Sequence, residues 1–205
     1  MMLTLQKLRS RHVKLGFWRD TTGIGAVEFA LILPLMLLLF FGVVEASTGV
    51  AVKRKLSVVT QSVSDLISRF ETVTDVDVNN VFMIGDTIMT PYSTLELKAR
   101  VSEVYVDPAD GAGRVQWSRG DAPHAQGFAV QVPSALIARD SKGKVAANQY
   151  LIFSEVEYDY KPTVGYVFGT IKMQDRTFTR PRLSVCVLLN PQSKSDPCPT
   201  TVRPS

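Results

Sequence analysis

The chain has 205 residues and a formal net charge of +4, and hydrophobic residues make up 45% of it. Its first 23 residues contain five basic residues (Lys7, Arg9, Arg11, Lys14, Arg19) and one acid, Asp20, whereas the remainder has 18 basic and 18 acidic residues. The basic excess therefore indicates a charged N-terminal segment and excludes a broad nucleic-acid-binding surface. Beyond that segment and the apolar run that follows it, there is room for one domain of roughly 130–150 residues.

An uncharged run extends from Phe29 to Val44. As a helix it would span about 24 Å, slightly less than the roughly 30 Å hydrocarbon core of a bilayer. The small and apolar residues Ala46–Val52 could complete the crossing. Pro34 lies inside the run and predicts a mild kink, since membrane helices tolerate proline. The sequence thus predicts a membrane helix with an acid near each end, Glu28 and Glu45.

Glu28 is unusual because a carboxylate inside a membrane segment costs about 2.5–3.5 kcal/mol, so such residues usually have a partner or a function. The simpler alternative is that Glu28 is solvated at the level of the lipid headgroups. Its neighbours favour the first interpretation. The basic segment ends at Gly23, Glu28 is the fifth residue after that glycine, and Phe29 follows.

This arrangement resembles the processing site of type IV prepilins, and most closely that of the TadE-like pseudopilins (minor pilins) of the Tad (Flp) pilus system. The resemblance implies that a prepilin peptidase cuts after Gly23, so that Ile24 becomes the new N-terminus. Glu28 of one subunit would then pair with the Ile24 ammonium of a neighbour and set the register of the assembly. Pro34 also stands where that family commonly has a proline. Gly25 is a competing cleavage site, but cutting there would make Glu28 the third residue.

The helix is expected to continue to about residue 70, because apolar residues recur at alternating spacings of four and three. The stripe leaves two alternatives open: it packs on the protein's own domain, or it forms a seam against another subunit's helix. Polar residues, including Ser64, are assigned to the opposite faces. The stripe comprises Val52, Leu56, Val59, Val63, Leu66 and Phe70.

Residues 71–190 are predicted to form an α+β domain with a second helix and an antiparallel β-sheet, a pilin-like plan. The second helix is capped by Asp75 or Asp77 and ends near Pro91. Alternation over 94–106 predicts a half-exposed strand that forms a hairpin with 114–118. A second strong strand covers 150–160, and one or two further strands lie within 174–187.

The C-terminal region, residues 191–205, is predicted to be a loose tail. Cys186 and Cys198 would close a small loop in an oxidising compartment, and free thiols are the alternative. Arg180-Pro181-Arg182, shortly before Cys186, is similar to a feature of TadE-like proteins. We assign these arginines by default a structural role, pairing with acids of neighbouring strands.

The sequence contains little that predicts catalysis. Its two histidines are His12 in the leader and His124 in a loop, and no nucleophile-elbow sequence accompanies them. No Cys/His cluster has zinc spacing. We therefore expect a protein that is not an enzyme and uses neither metal nor cofactor.

Taken together, these observations predict a non-catalytic pseudopilin supporting Tad pilus assembly or secretion. Its expected partners are the prepilin peptidase, other pilins, inner-membrane Tad assembly proteins and lipid. Five positive charges before the helix place the N-terminus in the cytoplasm and the domain in the periplasm. Two alternatives remain: an unprocessed single-pass anchor for a binding or adaptor domain, and a secreted protein cleaved after Val44-Glu45-Ala46.

Overall fold

The structure is a computed structural model that describes residues 23–162, 169–193 and 196–200. The basic residues of the predicted leader lie outside the described residues, as do residues 201–205 of the predicted tail. Contacts divide the chain after Val44, so that a second compact unit begins at Glu45. In chain order the elements are α1 (Ile24–Ser68), β1 (Thr72–Val73), α2 (Asp75–Met89), β2 (Leu97–Val106), β3 (Gly113–Gly120), β4 (Ala129–Val130), a 3₁₀ turn (Ser134–Leu136), β5 (Tyr150–Tyr160), β6 (Ile171–Thr179) and β7 (Leu188–Leu189).

The main sheet has five strands in the order β4-β3-β2-β5-β6, and every pair in it is antiparallel. A second, two-stranded sheet pairs β1 with β7 in parallel. It brings the C-terminal segment back to the end of α1, because Thr72 aligns with Leu188. The expected α+β class is confirmed: a long apolar N-terminal helix, a second helix and an antiparallel sheet.

The core of the domain forms where one stripe of α1 packs against the main sheet and α2. The expectation that the stripe packs on the protein's own domain is confirmed. Its distal end differs from the prediction: Ile67 is fully buried, whereas Leu66 and Phe70 are only half-buried. Ser64 is buried too, and its hydroxyl donates to Thr179 Oγ1 at 2.8 Å. The buried apolar residues of α1 are Val52, Leu56, Val59, Val63 and Ile67.

Helix α2 lies close to α1, and its cap precedes the two predicted candidates by one and three residues. Thr74, and not Asp75 or Asp77, is the N-cap, because its hydroxyl accepts from the Asp77 backbone N–H. The Asp77 carboxylate in turn accepts from the Thr74 backbone N–H, which completes a capping box. A Cβ on Gly85 would lie 3.0 Å from Val59 Cγ1, so the two helices approach tightly at this glycine.

Strand β2 departs from the predicted alternation. It begins at Leu97, and Leu95 is 92% exposed just before it. From Val101 to Val106 every residue is buried, because both faces of the sheet are covered in that part. The helices cover one face near Val101, and the segment with Cys186 and Val187 covers it at Glu103 and Tyr105. A second apolar cluster, which includes Val132 from the 121–149 segment, covers the other face.

Glu103 is a fully buried acid on β2. Its Oε1 accepts from the Val187 backbone N–H at 2.5 Å, while Oε2 has no hydrogen-bond partner among the described residues. The Val187 carbonyl accepts from Trp117 Nε1 at 2.7 Å. Burial raises the pKa of Glu103 to about 8, so this carboxyl holds its proton at neutral pH.

This buried acid predicts a stability that falls as the pH rises. In the unfolded chain Glu103 loses its proton near the ordinary glutamate pKa of 4.5, whereas in the folded protein it keeps the proton to about pH 8. Between these values, the free energy of unfolding should decrease by about 1.4 kcal/mol per pH unit through this group. Glu103→Gln keeps an acceptor for the Val187 N–H and should remove that slope. Urea unfolding of the full chain in detergent, followed by tryptophan fluorescence, would measure it.

The matched control for this prediction is Glu157→Gln, since Glu157 is an exposed glutamate on β5. It should leave the pH dependence of the free energy of unfolding as it is in the unaltered chain. Equal slopes in Glu103→Gln and the unaltered chain would contradict the prediction.

Candidate functional site

The predicted processing residues lie at the start of α1. The helix begins at Ile24, and the Gly23 carbonyl accepts from the backbone N–H groups of Ala26 and Val27 at 3.1 Å. Gly23, Ile24, Glu28 and Phe29 are all exposed. Glu28 stands about one helical turn from Ile24, and no hydrogen bond or ion pair joins its carboxylate to another described residue. The segment therefore presents an accessible backbone followed by an acid without an internal partner.

No described residue buries the apolar part of α1. Every residue from Ile24 to Phe41 is exposed, and the helix passes through Pro34 without interruption. Among the described residues, α1 is the one helix long and apolar enough to cross a membrane, judged by length and composition. Such a surface is stable in lipid and costly in water.

A buried hydrogen bond that the sequence does not predict attaches α1 to the domain at Glu45. Glu45 is buried, and Tyr160 donates its hydroxyl to Glu45 Oε1 at 2.5 Å. Burial and then this carboxylate raise the pKa of Tyr160, so the hydroxyl remains a donor. Gly49, one turn further on, lies under the Tyr160 ring, since a Cβ there would be 3.8 Å from Tyr160 Cε1.

Two lysines of α1 have partners in the domain. Lys53 Nζ lies 2.9 Å from Asp175 Oδ1 and donates to the Gln174 carbonyl at 2.6 Å. Lys55 Nζ donates to the carbonyls of Ile88 and Thr90, at the end of α2. These contacts join the helix to β6 and α2 over the two turns that follow Glu45.

Among the described residues, neither Arg180 nor Arg182 forms the predicted ion pair with an acid of a neighbouring strand. Arg182 forms an ion pair with Asp65, which lies on helix α1, and its backbone N–H donates to the Ser68 carbonyl at 2.8 Å. Arg180 donates instead to the carbonyl of Leu136 at 2.8 Å. A disulfide joins Cys186 to Cys198.

His124 contacts a carboxylate of the sheet and an aromatic ring. Its Nε2 lies 2.6 Å from Glu155 Oε2, and the same carboxylate accepts from Arg100 Nε at 2.8 Å. Its ring stacks on Phe128 at a centroid distance of 4.3 Å. These contacts fasten the 121–149 segment to the sheet. Within the described ranges, no group of three His, Cys, Asp or Glu residues could hold a metal ion.

Comparison with known proteins finds one family match, over the segment that contains the predicted processing residues and most of α1. Residues 23–63 match the family model described as TadE-like protein, which confirms the resemblance. No curated protein and no solved structure matches the chain. The match and the apolar helix fit a membrane-anchored protein related to the Tad pilus. The TadE-like family consists of pilus components and is not a known enzyme family.

The bond between Glu45 and Tyr160 predicts a specific loss of stability. Tyr160→Phe removes the hydroxyl and keeps the ring packing, so the buried carboxylate loses one donor. We expect the free energy of unfolding to fall by about 1.5–3 kcal/mol, as for hydrogen bonds to charged groups. Urea unfolding of the full chain in detergent would measure this loss.

Tyr158→Phe is the matched control, since Tyr158 is buried on the same strand and its hydroxyl makes no hydrogen bond to a described residue. It should change the free energy of unfolding much less. Equal effects of the two substitutions would show that the bond to Glu45 is not what stabilises the attachment.

Proposed function

We propose that this TadE-like chain is a non-catalytic pseudopilin, a minor pilin that supports Tad (Flp) pilus assembly or secretion. In this proposal a prepilin peptidase removes the leader, and α1 anchors the protein in the bacterial inner membrane. The N-terminus faces the cytoplasm and the domain faces the periplasm. The partners are the peptidase, other pilins and the inner-membrane Tad assembly proteins.

The observation that carries the proposal is the coincidence of three features at one point of the chain. The family match begins at Gly23, α1 begins at the next residue, and Glu28 follows one turn later with an exposed carboxylate. A peptidase that cuts after Gly23 would create an ammonium at Ile24. Pairing between that ammonium and Glu28 of a neighbour would offset the cost of both charges in an apolar helix bundle.

The proposed division of the chain follows from the same features. Residues 1–23 are the leader, 24–70 the membrane helix and its continuation, 71–190 the periplasmic domain, and 191–205 the tail. Pro34 lies within the part of α1 that would contact neighbouring subunits.

The structure gives a reason to prefer this proposal to a secreted protein cleaved after Ala46. Such a cut would interrupt α1 within its helical span and remove Glu45, the buried acceptor of the Tyr160 hydroxyl. The domain would then lose one of the contacts that hold the helix. An unprocessed anchor would keep this contact, so it has to be separated from the proposal by experiment.

Processing is tested by the N-terminal sequence and intact mass of the protein purified from its own membranes. We expect a start at Ile24 that is lost when the prepilin peptidase is deleted. A start at Ser47 would indicate a cleaved export signal, and an intact leader would indicate an unprocessed anchor. Either result would overturn the proposal.

A matched pair of variants locates the cut. A Cβ at Gly23 or at Gly25 would meet nothing within 4 Å, so we expect the fold to accept leucine at either position. Gly23→Leu should block cleavage, because the peptidase requires a small residue before the cut. Gly25→Leu should still be cut after Gly23, and a mature start at Ala26 in the unaltered protein would instead assign the cut to Gly25.

The register role of Glu28 makes a separate prediction. Glu28→Gln removes the charge but no internal contact, so cleavage and folding should remain normal. Recovery of other pilins with the purified protein should fall at least tenfold, the equivalent of about 1.4 kcal/mol. Glu71→Gln, an exposed glutamate of the domain, is the control and should leave recovery unchanged. Normal recovery with Glu28→Gln would exclude a role for this carboxylate in assembly.

A further inference from the structure

The loop between β6 and β7 exposes two apolar side chains. Leu183 is 64% exposed and Val185 is 59% exposed, although both lie next to residues with fixed contacts. Exposed apolar side chains on a rigid surface are typical of docking sites, since binding there orders little additional structure.

The loop is held on both sides of these two residues. Before Leu183, Arg182 is tied to α1 through Asp65 and through its backbone bond to Ser68. After Val185, Cys186 is buried and joined by the disulfide to Cys198. Leu183 and Val185 are therefore presented in a defined position.

Beside this loop lies a cavity of about 230 Å³. Its walls combine apolar surface from the 3₁₀ turn, the start of β5 and the loop itself with a few polar groups. Arg180 stands in this wall, where one guanidinium nitrogen donates to the Leu136 carbonyl at 2.8 Å. The apolar part of the lining is contributed by Leu136, Leu151, Pro181 and Val185.

A basic turn adjoins the cavity. Gln149, a lining residue, binds the backbone of Ala138 through both its amide oxygen and its amide nitrogen, at 2.6 and 3.0 Å. The turn that follows, residues 139–144, exposes three cations. Its acid, Asp140, accepts from the backbone N–H groups of Lys142 and Lys144. Within the described ranges, no ion pair with a carboxylate is formed by Arg139, Lys142, Lys144 or Arg180.

We infer that the face around the cavity, which carries both cations and exposed apolar side chains, binds an acidic peptide segment of a partner protein. This basic apolar face comprises Arg180, Leu183, Val185 and the turn 139–144. An apolar side chain of the segment enters the cavity, and its carboxylates pair with Arg180 and the turn. Arginine suits this task because its planar guanidinium binds carboxylates with two parallel hydrogen bonds. The inference goes beyond the proposed function and does not depend on processing at Gly23.

Charge and shape together favour a peptide over other anions. A polyanion without apolar groups would pair with the cations but leave Leu183, Val185 and the cavity in water. An anionic lipid surface would contact the cations and the exposed apolar side chains but would leave the cavity unfilled.

The test uses the full chain in nanodiscs of uncharged lipid and a fluorescent peptide of alternating glutamate and leucine. Empty nanodiscs measure any partition of the peptide into lipid. Fluorescence anisotropy should show saturable binding that is at least tenfold weaker in Arg180→Glu, in Lys144→Glu and in Leu183→Asn. Lys172→Glu, an exposed cation of β6 away from this face, should change the dissociation constant less than twofold.

Several results would overturn the inference. Equal affinity for polyglutamate would show that charge alone accounts for the interaction. Binding only to phosphatidylglycerol vesicles would show that the face binds lipid. Absence of binding, or binding that none of the three substitutions weakens, would also exclude it. The exposed Lys144 side chain forms no hydrogen bond or ion pair with a described residue, so Lys144→Glu tests the face even where Arg180→Glu disturbs folding.

Discussion

The domain depends on the packing of one stripe of α1 against two partners at once. The stripe from Val52 to Ile67 is fully buried, and both α2 and the main sheet close on it. The closeness of this packing is visible at Gly85, where a side chain would meet Val59. Because the same continuous helix carries the bare apolar segment from Ile24 onwards, the residues that organise the domain and those that suit lipid belong to one element.

Local patterns predict the elements of this fold better than their ends. Hydrophobic periodicity predicts the hairpin, the two helices and the strand from Tyr150 to Tyr160, because this periodicity depends only on residues close together in the sequence. The predicted stripe on α1 has a spacing of 3.5 residues, which drifts by about 20° per heptad from a helix of 3.6 residues per turn. At the end of this stripe, four turns after Val52, Ile67 is buried in the core and Leu66 is only half-buried.

Contacts between distant parts of the chain could not be predicted from the sequence. The pairing of β1 with β7, the burial of Glu103 under Val187 and the bond of Tyr160 to Glu45 each join residues at least 84 positions apart. No local pattern marks them: the alternation places Glu103 on the same face as Leu97 and Val101, but nothing near it in the sequence identifies Val187 as its partner. The processing site proposed at Gly23, Ile24, Glu28 and Phe29 could be put forward from the sequence because the spacing of these residues is local.

Glu28 and Glu45, the acids at the two ends of the apolar segment, differ in whether the protein supplies a donor to the carboxylate. This difference supports the assembly role proposed for Glu28. Glu45 is buried, and the protein's own Tyr160 donates to its carboxylate. Glu28 is exposed and lacks such a donor in the described part of the chain. A carboxylate within an apolar environment needs a compensating charge or donor. For Glu45 the domain supplies it, whereas for Glu28 the proposal assigns it to the ammonium that cleavage at Gly23 would create on a neighbouring subunit.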